Sequence, residues 1–247
     1  MLRGATFGGY DCSKRPPPYQ WSSADYDALR AAAKKLNCNE EDLLLVLWAE
    51  STLIPNIAHC IGGQPSAIGL NQITWSPAAK AMGMTKTEWL SMLDMTPAEQ
   101  LPYVVRYFEH SNGGKPFVKS PDLVTLYQYN IAPGTVPNEV IYTAKYACPC
   151  PSNASLWPSD DNYCHNSGLD KNKDCVITRT DLADVLAAKS KAGGYQKALA
   201  ELRGTTPVKP ASGGGSYAPS EGSGLAAIVL LGTVVGGGLY LYGKRRS

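Results

Sequence analysis

The run Leu43-Leu44-Leu45-Val46-Leu47-Trp48-Ala49 constrains this chain more than any other stretch, and it breaks off at the acid Glu50. A helix that is apolar on every side has no face for water, so it must lie inside other elements. Asn39, with Asp42 three residues on, stands where such a helix is capped. Counting from there puts Glu50 in the last turn. A carboxylate at that end faces the negative pole of the backbone dipole, and Leu47, Trp48 and Leu53 strip water from it. Both effects favour the protonated form, which a general acid needs near neutral pH. Standing alone, Glu50 would be read as a solvated helix-end glutamate.

The chain around this run reads as helical. Ser23-Ala24-Asp25-Tyr26 opens a segment with Leu29, Ala32, Ala33 and Leu36 at helical spacing, and Asn37-Cys38-Asn39 ends it. Further helices are expected over Thr85 to Asp94, Pro97 to His110, Pro121 to Tyr129 and Glu139 to Tyr146, the second opened by Thr96-Pro97-Ala98-Glu99. Leu101, Val104, Val105 and Phe108 form a core stripe, while Trp89, Tyr103 and Tyr107 are packing aromatics that can also border a groove. Met1 to Gln20 has no continuous apolar segment and does not read as a secretory signal, and Arg15-Pro16-Pro17-Pro18 makes an extended arm. A net charge of +2 offers no broad basic field, so nucleic acid is not expected as a partner.

Glu50-Ser51, then Gly69-Leu70-Asn71-Gln72-Ile73, then Tyr127-Gln128-Tyr129-Asn130-Ile131-Ala132-Pro133-Gly134 resemble, in order, three motifs of the lytic transglycosylase and goose-type lysozyme family. The family typically reads Glu-Ser, Gly-Leu-Met-Gln-Ile and Ala-Tyr-Asn-Ala-Gly-Pro, so Asn71 replaces a methionine and the third motif departs at its end. The resemblance implies a lysozyme-like helical domain over 22–147 that cuts the β-1,4 bond between N-acetylmuramic acid and N-acetylglucosamine in peptidoglycan. It implies Glu50 as catalytic acid and base, with Ser51 holding the carboxylate or substrate. Gln72 and Ile73 would line the cleft, and Tyr129 and Asn130 would position the muramic ring. Glycosidases usually pair two carboxylates, yet no Asp or Glu lies between Glu50 and Glu88. That favours the family's lyase chemistry, which closes a 1,6-anhydro sugar without water, although Asp94 or Asp122 can still fold into reach. The alternatives are a hydrolytic goose-type lysozyme and a non-catalytic, glycan-binding or structural protein on the same fold.

The composition changes at Cys148. Seven cysteines leave at least one thiol unpaired, and Cys148, Cys150, Cys164 and Cys175 gather in one polar segment over 148–203. A local disulfide in an oxidising compartment and plain thiols elsewhere both remain open. Zinc is disfavoured, because no Cys-x-x-Cys pair anchors a site with His165. Within this segment, 170–181 fits a single EF-hand calcium loop with ligands Asp170, Asn172, Asp174, the Val176 carbonyl and Asp181, and an exiting helix from Leu182 to Lys189. Cys175 stands at the position of the turn glycine, and Asp181 is shorter than the usual glutamate. Calcium is therefore expected as a structural clip.

A Gly/Ser/Pro-rich linker follows over 204–224, then an uncharged stretch over 225–242 and a basic tail over 243–247. As a helix, 225–242 spans roughly 27 Å at about 1.5 Å per residue, enough for a transmembrane anchor whose basic end lies on the cytoplasmic side. Gly232 and Gly236 offer a contact for another helix, in a second copy or another virion protein. The whole reads as mainly α: an N-terminal arm over 1–21, the enzymatic domain, the EF-hand-like segment, the linker and the membrane helix. Such a layout suits a bacteriophage virion protein in a viral membrane or the host envelope, cutting the wall during genome delivery. A tail-anchored bacterial wall enzyme is the rival setting.

Overall fold

A computed structural model of the chain describes residues 10–61, 63–151 and 161–204. The linker and the expected transmembrane segment over 225–242 lie outside them. Among the described residues, no helix is long and apolar enough to cross a membrane.

The fold is mainly helical. Among the described residues, α1 (Ser23–Leu36), α2 (Glu40–Ser51), α3 (Lys86–Ser91), α4 (Pro97–Ser111), α5 (Leu123–Ile131), α6 (Asn162–Asn166), α7 (Arg179–Ser190) and α8 (Gly193–Leu202) are joined by two small antiparallel sheets. The first contains β1 (Ala58–Ile61), β2 (Gln64–Ile68) and β3 (Ile73–Thr74), and the second pairs β4 (Val140–Thr143) with β5 (Val176–Thr178).

α2 is the central element, as its apolar run requires. It packs against α1, α5, α7 and α8, and Leu43, Leu44, Leu45, Val46 and Leu47 are all buried. Each such side chain contributes about 1.5–3 kcal/mol when removed from water. The Asn39 side chain accepts from the amides of Glu41 and Asp42, so the expected cap forms. α1 and α4 each begin with a reciprocal capping box, Ser22 with Asp25 and Thr96 with Glu99. The second oxygen of Asp25 accepts from the Ala98 amide at 3.0 Å, fastening the starts of these two helices together.

Two expectations need correction. Glu139 to Tyr146 is not a helix: Val140, Ile141, Tyr142 and Thr143 are β-branched or aromatic, and they pair with β5. The sheet over residues 58–74 has little signature in the sequence, because its strands are short and its hairpin is irregular. The segment after residue 147 shares one core with what precedes it. Leu182, Val185, Leu186, Tyr195, Leu199 and Leu202 lie in the same buried cluster as α1 and α2. Gly194 lets α8 approach, since a Cβ there would overlap the Trp48 ring.

Three disulfides join Cys12 to Cys60, Cys148 to Cys175 and Cys150 to Cys164, leaving Cys38 as the free thiol. The first straps the N-terminal arm to β1, where the Tyr10 hydroxyl also accepts from the Ala58 amide at 2.8 Å. The other two close the segment around the 170–181 loop.

Candidate active site

α2 ends where its sequence turns polar. Thr52 and Leu53 follow in the left-handed region, with φ of 53° and 61°, a conformation that non-glycine residues seldom adopt. The strained turn leaves Glu50 at the rim of a cleft that encloses about 630 Å³ counting its solvent-open mouth. The other walls come from the segment 71–81, from Tyr107, His110 and Ser111 at the end of α4, and from Asn130, Ile131 and Pro133 at the end of α5.

Glu50 as a residue is partly accessible through the cleft. Its Oε1, however, is sealed from solvent and has no hydrogen-bond partner. Loss of water pushes its pKa up to about 7, with the Tyr127 hydroxyl and the Lys189 charge pulling the other way. The Tyr127 hydroxyl influences the carboxyl without completing a hydrogen bond of ordinary geometry, and it too is buried without a partner. Among the described residues, no other Asp or Glu lines the cleft. Asp122 caps α5 and pairs with Arg179 at 3.2 Å, and Asp94 lies in a short turn after α3.

The loop bearing Asn71 and Gln72 is held from below by Gln100, which is fully buried on α4. Its Nε2 donates to the carbonyls of Pro55 and Met92 at 2.6 Å each, and its Oε1 accepts from the Leu70 amide at 2.9 Å. Gly69 adopts φ of 80°, and a Cβ there would meet Gln100 Oε1 at 2.7 Å, so the turn requires glycine. Trp89 donates from Nε1 to the Ile73 carbonyl at 2.9 Å and packs against Trp75. It is a packing residue.

The expected site residues separate into two groups. Glu50, Gln72 and Asn130 meet in the cleft. Ser51, Ile73 and Tyr129 do not. The Ser51 hydroxyl is buried and donates back to the Leu47 carbonyl at 2.9 Å, so it is occupied within its own helix. Ile73 is a core residue. Tyr129 stacks near Phe117, with centroids 5.0 Å apart, and donates to Asn112 Oδ1 at 3.1 Å.

The helical period explains the last displacement. Residues three and four apart share a face of α5, so Tyr127, Asn130 and Ile131 point one way and Tyr129 another. Tyr127 is thus the tyrosine beside Glu50, a role the motif match misses but the helix spacing encodes. Tyr107, a packing aromatic by its spacing, also lines the cleft, and its hydroxyl donates to the Asn130 carbonyl.

Asn71 is more than the loss of a methionine. It is 2% exposed, and neither its Oδ1 nor its Nδ2 has a partner. Asn130 Oδ1 is likewise buried and unpaired. Gln72, by contrast, donates from Nε2 to the Gly69 carbonyl at 2.9 Å, and it holds a left-handed φ of 52°.

In the 170–181 loop, Asp170 and Asp181 are buried, and loop amides satisfy their carboxylates. Asp170 accepts from the amides of Lys173 and Cys175 and from the Tyr163 hydroxyl, at 2.7, 2.9 and 2.7 Å. Asp181 accepts from Lys171 N at 3.1 Å and forms a capping box with Thr178 at the start of α7. Asn172 and Asp174 bond each other at the exposed rim, and the Val176 amide donates to Asp174. Cys175 makes the sharp turn with φ of 74°, as the glycine it replaces would. Among the described residues, no group of three or more His, Cys, Asp or Glu side chains gathers to hold a metal ion.

No family model, curated protein or solved structure matches the chain.

Proposed function

We propose that the protein is a lytic transglycosylase with a lysozyme-like helical core, cleaving the β-1,4 bond between N-acetylmuramic acid and N-acetylglucosamine in peptidoglycan. The observation that carries this reading is Glu50: a single carboxyl with a pKa raised to about 7 and an unpaired, desolvated Oε1, in a cleft that no second carboxylate lines among the described residues.

The chemistry follows from that isolation. Protonated Glu50 gives its proton to the bridging oxygen as the C1–O bond breaks, and the alcohol of the next sugar leaves. With no nucleophilic carboxylate opposite, the substrate's own acetamido carbonyl stabilises the electron-poor C1. The Glu50 carboxylate then takes the proton of the muramic 6-hydroxyl while O6 bonds to C1, giving a 1,6-anhydro end and restoring the acid. A pKa near 7 suits a group that must donate and then accept one proton.

Calcium in the 170–181 loop is part of the same proposal. The left-handed turn at Cys175, the Asp170 and Asp181 carboxylates turned into the loop, and the helix that starts at its end are what such a site requires. Asp170, Asn172, Asp174, the Val176 carbonyl and Asp181 would hold the ion. It would act as a clip, since it lies in the loop and not in the cleft. A membrane tether through 225–242 and a virion setting remain the proposed means of delivery to the wall.

Zymography on purified peptidoglycan tests the reading. Wild-type protein is expected to clear the gel and Glu50→Gln to clear none. Equal clearing by both, or none by wild type, refutes it.

A further inference from the structure

We propose that Asn71 selects the sugar in the cleft by reading its 2-acetamido group, an inference that rests on the glycan-cleaving role of Glu50. Asn71 lines the same cleft as Glu50, is 2% exposed, and has both a donor and an acceptor without a partner. Buried polar groups in folded proteins are almost always paired, so an amide left wholly unpaired at a cleft wall points to a ligand that completes it.

The loop does not let Asn71 find a partner elsewhere. Gln100 grips the Leu70 amide, Gly69 is wedged against the Gln100 side chain, and Trp89 holds the Ile73 carbonyl. The neighbouring amide of Gln72 is committed to the Gly69 carbonyl. Asn71 is therefore the free amide of this loop, and Asn130 Oδ1 is a second unpaired acceptor in the cleft.

These groups define the chemistry of the occupant. It must accept a hydrogen bond from Asn71 Nδ2, donate to Asn71 Oδ1 and Asn130 Oδ1, and tolerate the carbon walls of Pro77, Ala78, Ala81 and Ile131. A carboxylate has no proton to donate, an ammonium accepts nothing, and a bare hydroxyl leaves the carbon wall empty. An acetamido group brings a carbonyl, an N–H and a methyl together. Its carbonyl and N–H point in opposite directions, so Asn71 Nδ2 takes the carbonyl, Asn130 Oδ1 takes the N–H, and an adjacent hydroxyl completes Asn71 Oδ1.

Binding separates this selection from turnover. The full chain carrying Glu50→Gln is titrated calorimetrically with chitotetraose and with cellotetraose, neutral sugars that differ by acetamido against hydroxyl. The expected result is at least tenfold tighter binding of chitotetraose. Adding Asn71→Leu should reduce that preference to about twofold or less, and so should Asn71→Asp, which keeps the shape but removes the donor. Far-UV circular dichroism and thermal melting establish that each variant is folded. No preference in the parent, or a preference unchanged in a folded Asn71 variant, overturns the proposal. If the preference holds while wild type clears no peptidoglycan, the catalytic reading fails and the selection stands. If wild type clears peptidoglycan while the folded Asn71 variants keep the full preference, the selection fails and the catalytic reading stands.

Discussion

Replacing Glu50 by glutamine should stabilise the protein, and by an amount that depends on pH. The folded chain holds the Glu50 proton up to about pH 7, whereas an ordinary glutamate releases it near 4.5. Raising a pKa by one corresponds to about 1.36 kcal/mol, so ionising Glu50 costs the native state at most about 3 kcal/mol, an upper value because the residue is partly accessible. The direction follows from proton counts. Between these two pKa values the folded state binds more protons than the unfolded state, so wild-type stability falls as pH rises, and above 7 the full penalty is in place. Glutamine stays neutral throughout. Urea unfolding of wild type and Glu50→Gln, paired at each pH from 4 to 8.5, cancels the other titrating groups. The two should agree near pH 4, and the variant should be more stable by up to about 3 kcal/mol at pH 8. A difference that does not change with pH, or a variant weaker at pH 8, would refute the claim that burial keeps this carboxyl protonated.

Other perturbations follow from the same contacts. Tyr127→Phe removes the hydroxyl that pulls the Glu50 pKa down, so the alkaline limb of the pH–activity profile should move upward. Stability should change by less than about 1 kcal/mol, since that hydroxyl has no bond to lose. Gly69→Ala combines a left-handed backbone with a clash on Gln100 and should cost about 1–3 kcal/mol by denaturant titration, with loss of clearing as the Asn71 loop shifts. Calcium at about a hundred times its Kd should add roughly 2.7 kcal/mol to stability, raising Tm in wild type but not in Asp170→Ala. An identical Tm with calcium or chelator in both would remove the clip.

Much of the architecture is legible because it follows local rules. An all-apolar run can only be central, and caps at Asn39 and Thr96 announce helices from three or four residues. Counting alone places Glu50 in the last turn of α2. What escapes depends on partners distant in sequence. Val140 to Thr143 becomes a strand because β5 returns from far along the chain to pair with it, and the buried role of Gln100 shows only when Pro55, Leu70 and Met92 converge on it. The motif match and the cleft geometry also pick out different tyrosines. Linear alignment favours Tyr129, but the helical face that reaches Glu50 carries Tyr127 and Asn130. In sequence Asn71 looks like a lost methionine, and only the surrounding burial identifies it as an unpaired amide.

The chemistry is tested most directly by mass spectrometry of peptidoglycan digested in ¹⁸O-labelled water. Closure by the 6-hydroxyl predicts muropeptides with 1,6-anhydro ends and no label from solvent, formed by wild type and absent with Glu50→Gln. Reducing ends carrying ¹⁸O would show that water attacks C1, contradicting a mechanism in which Glu50 works without a second carboxylate.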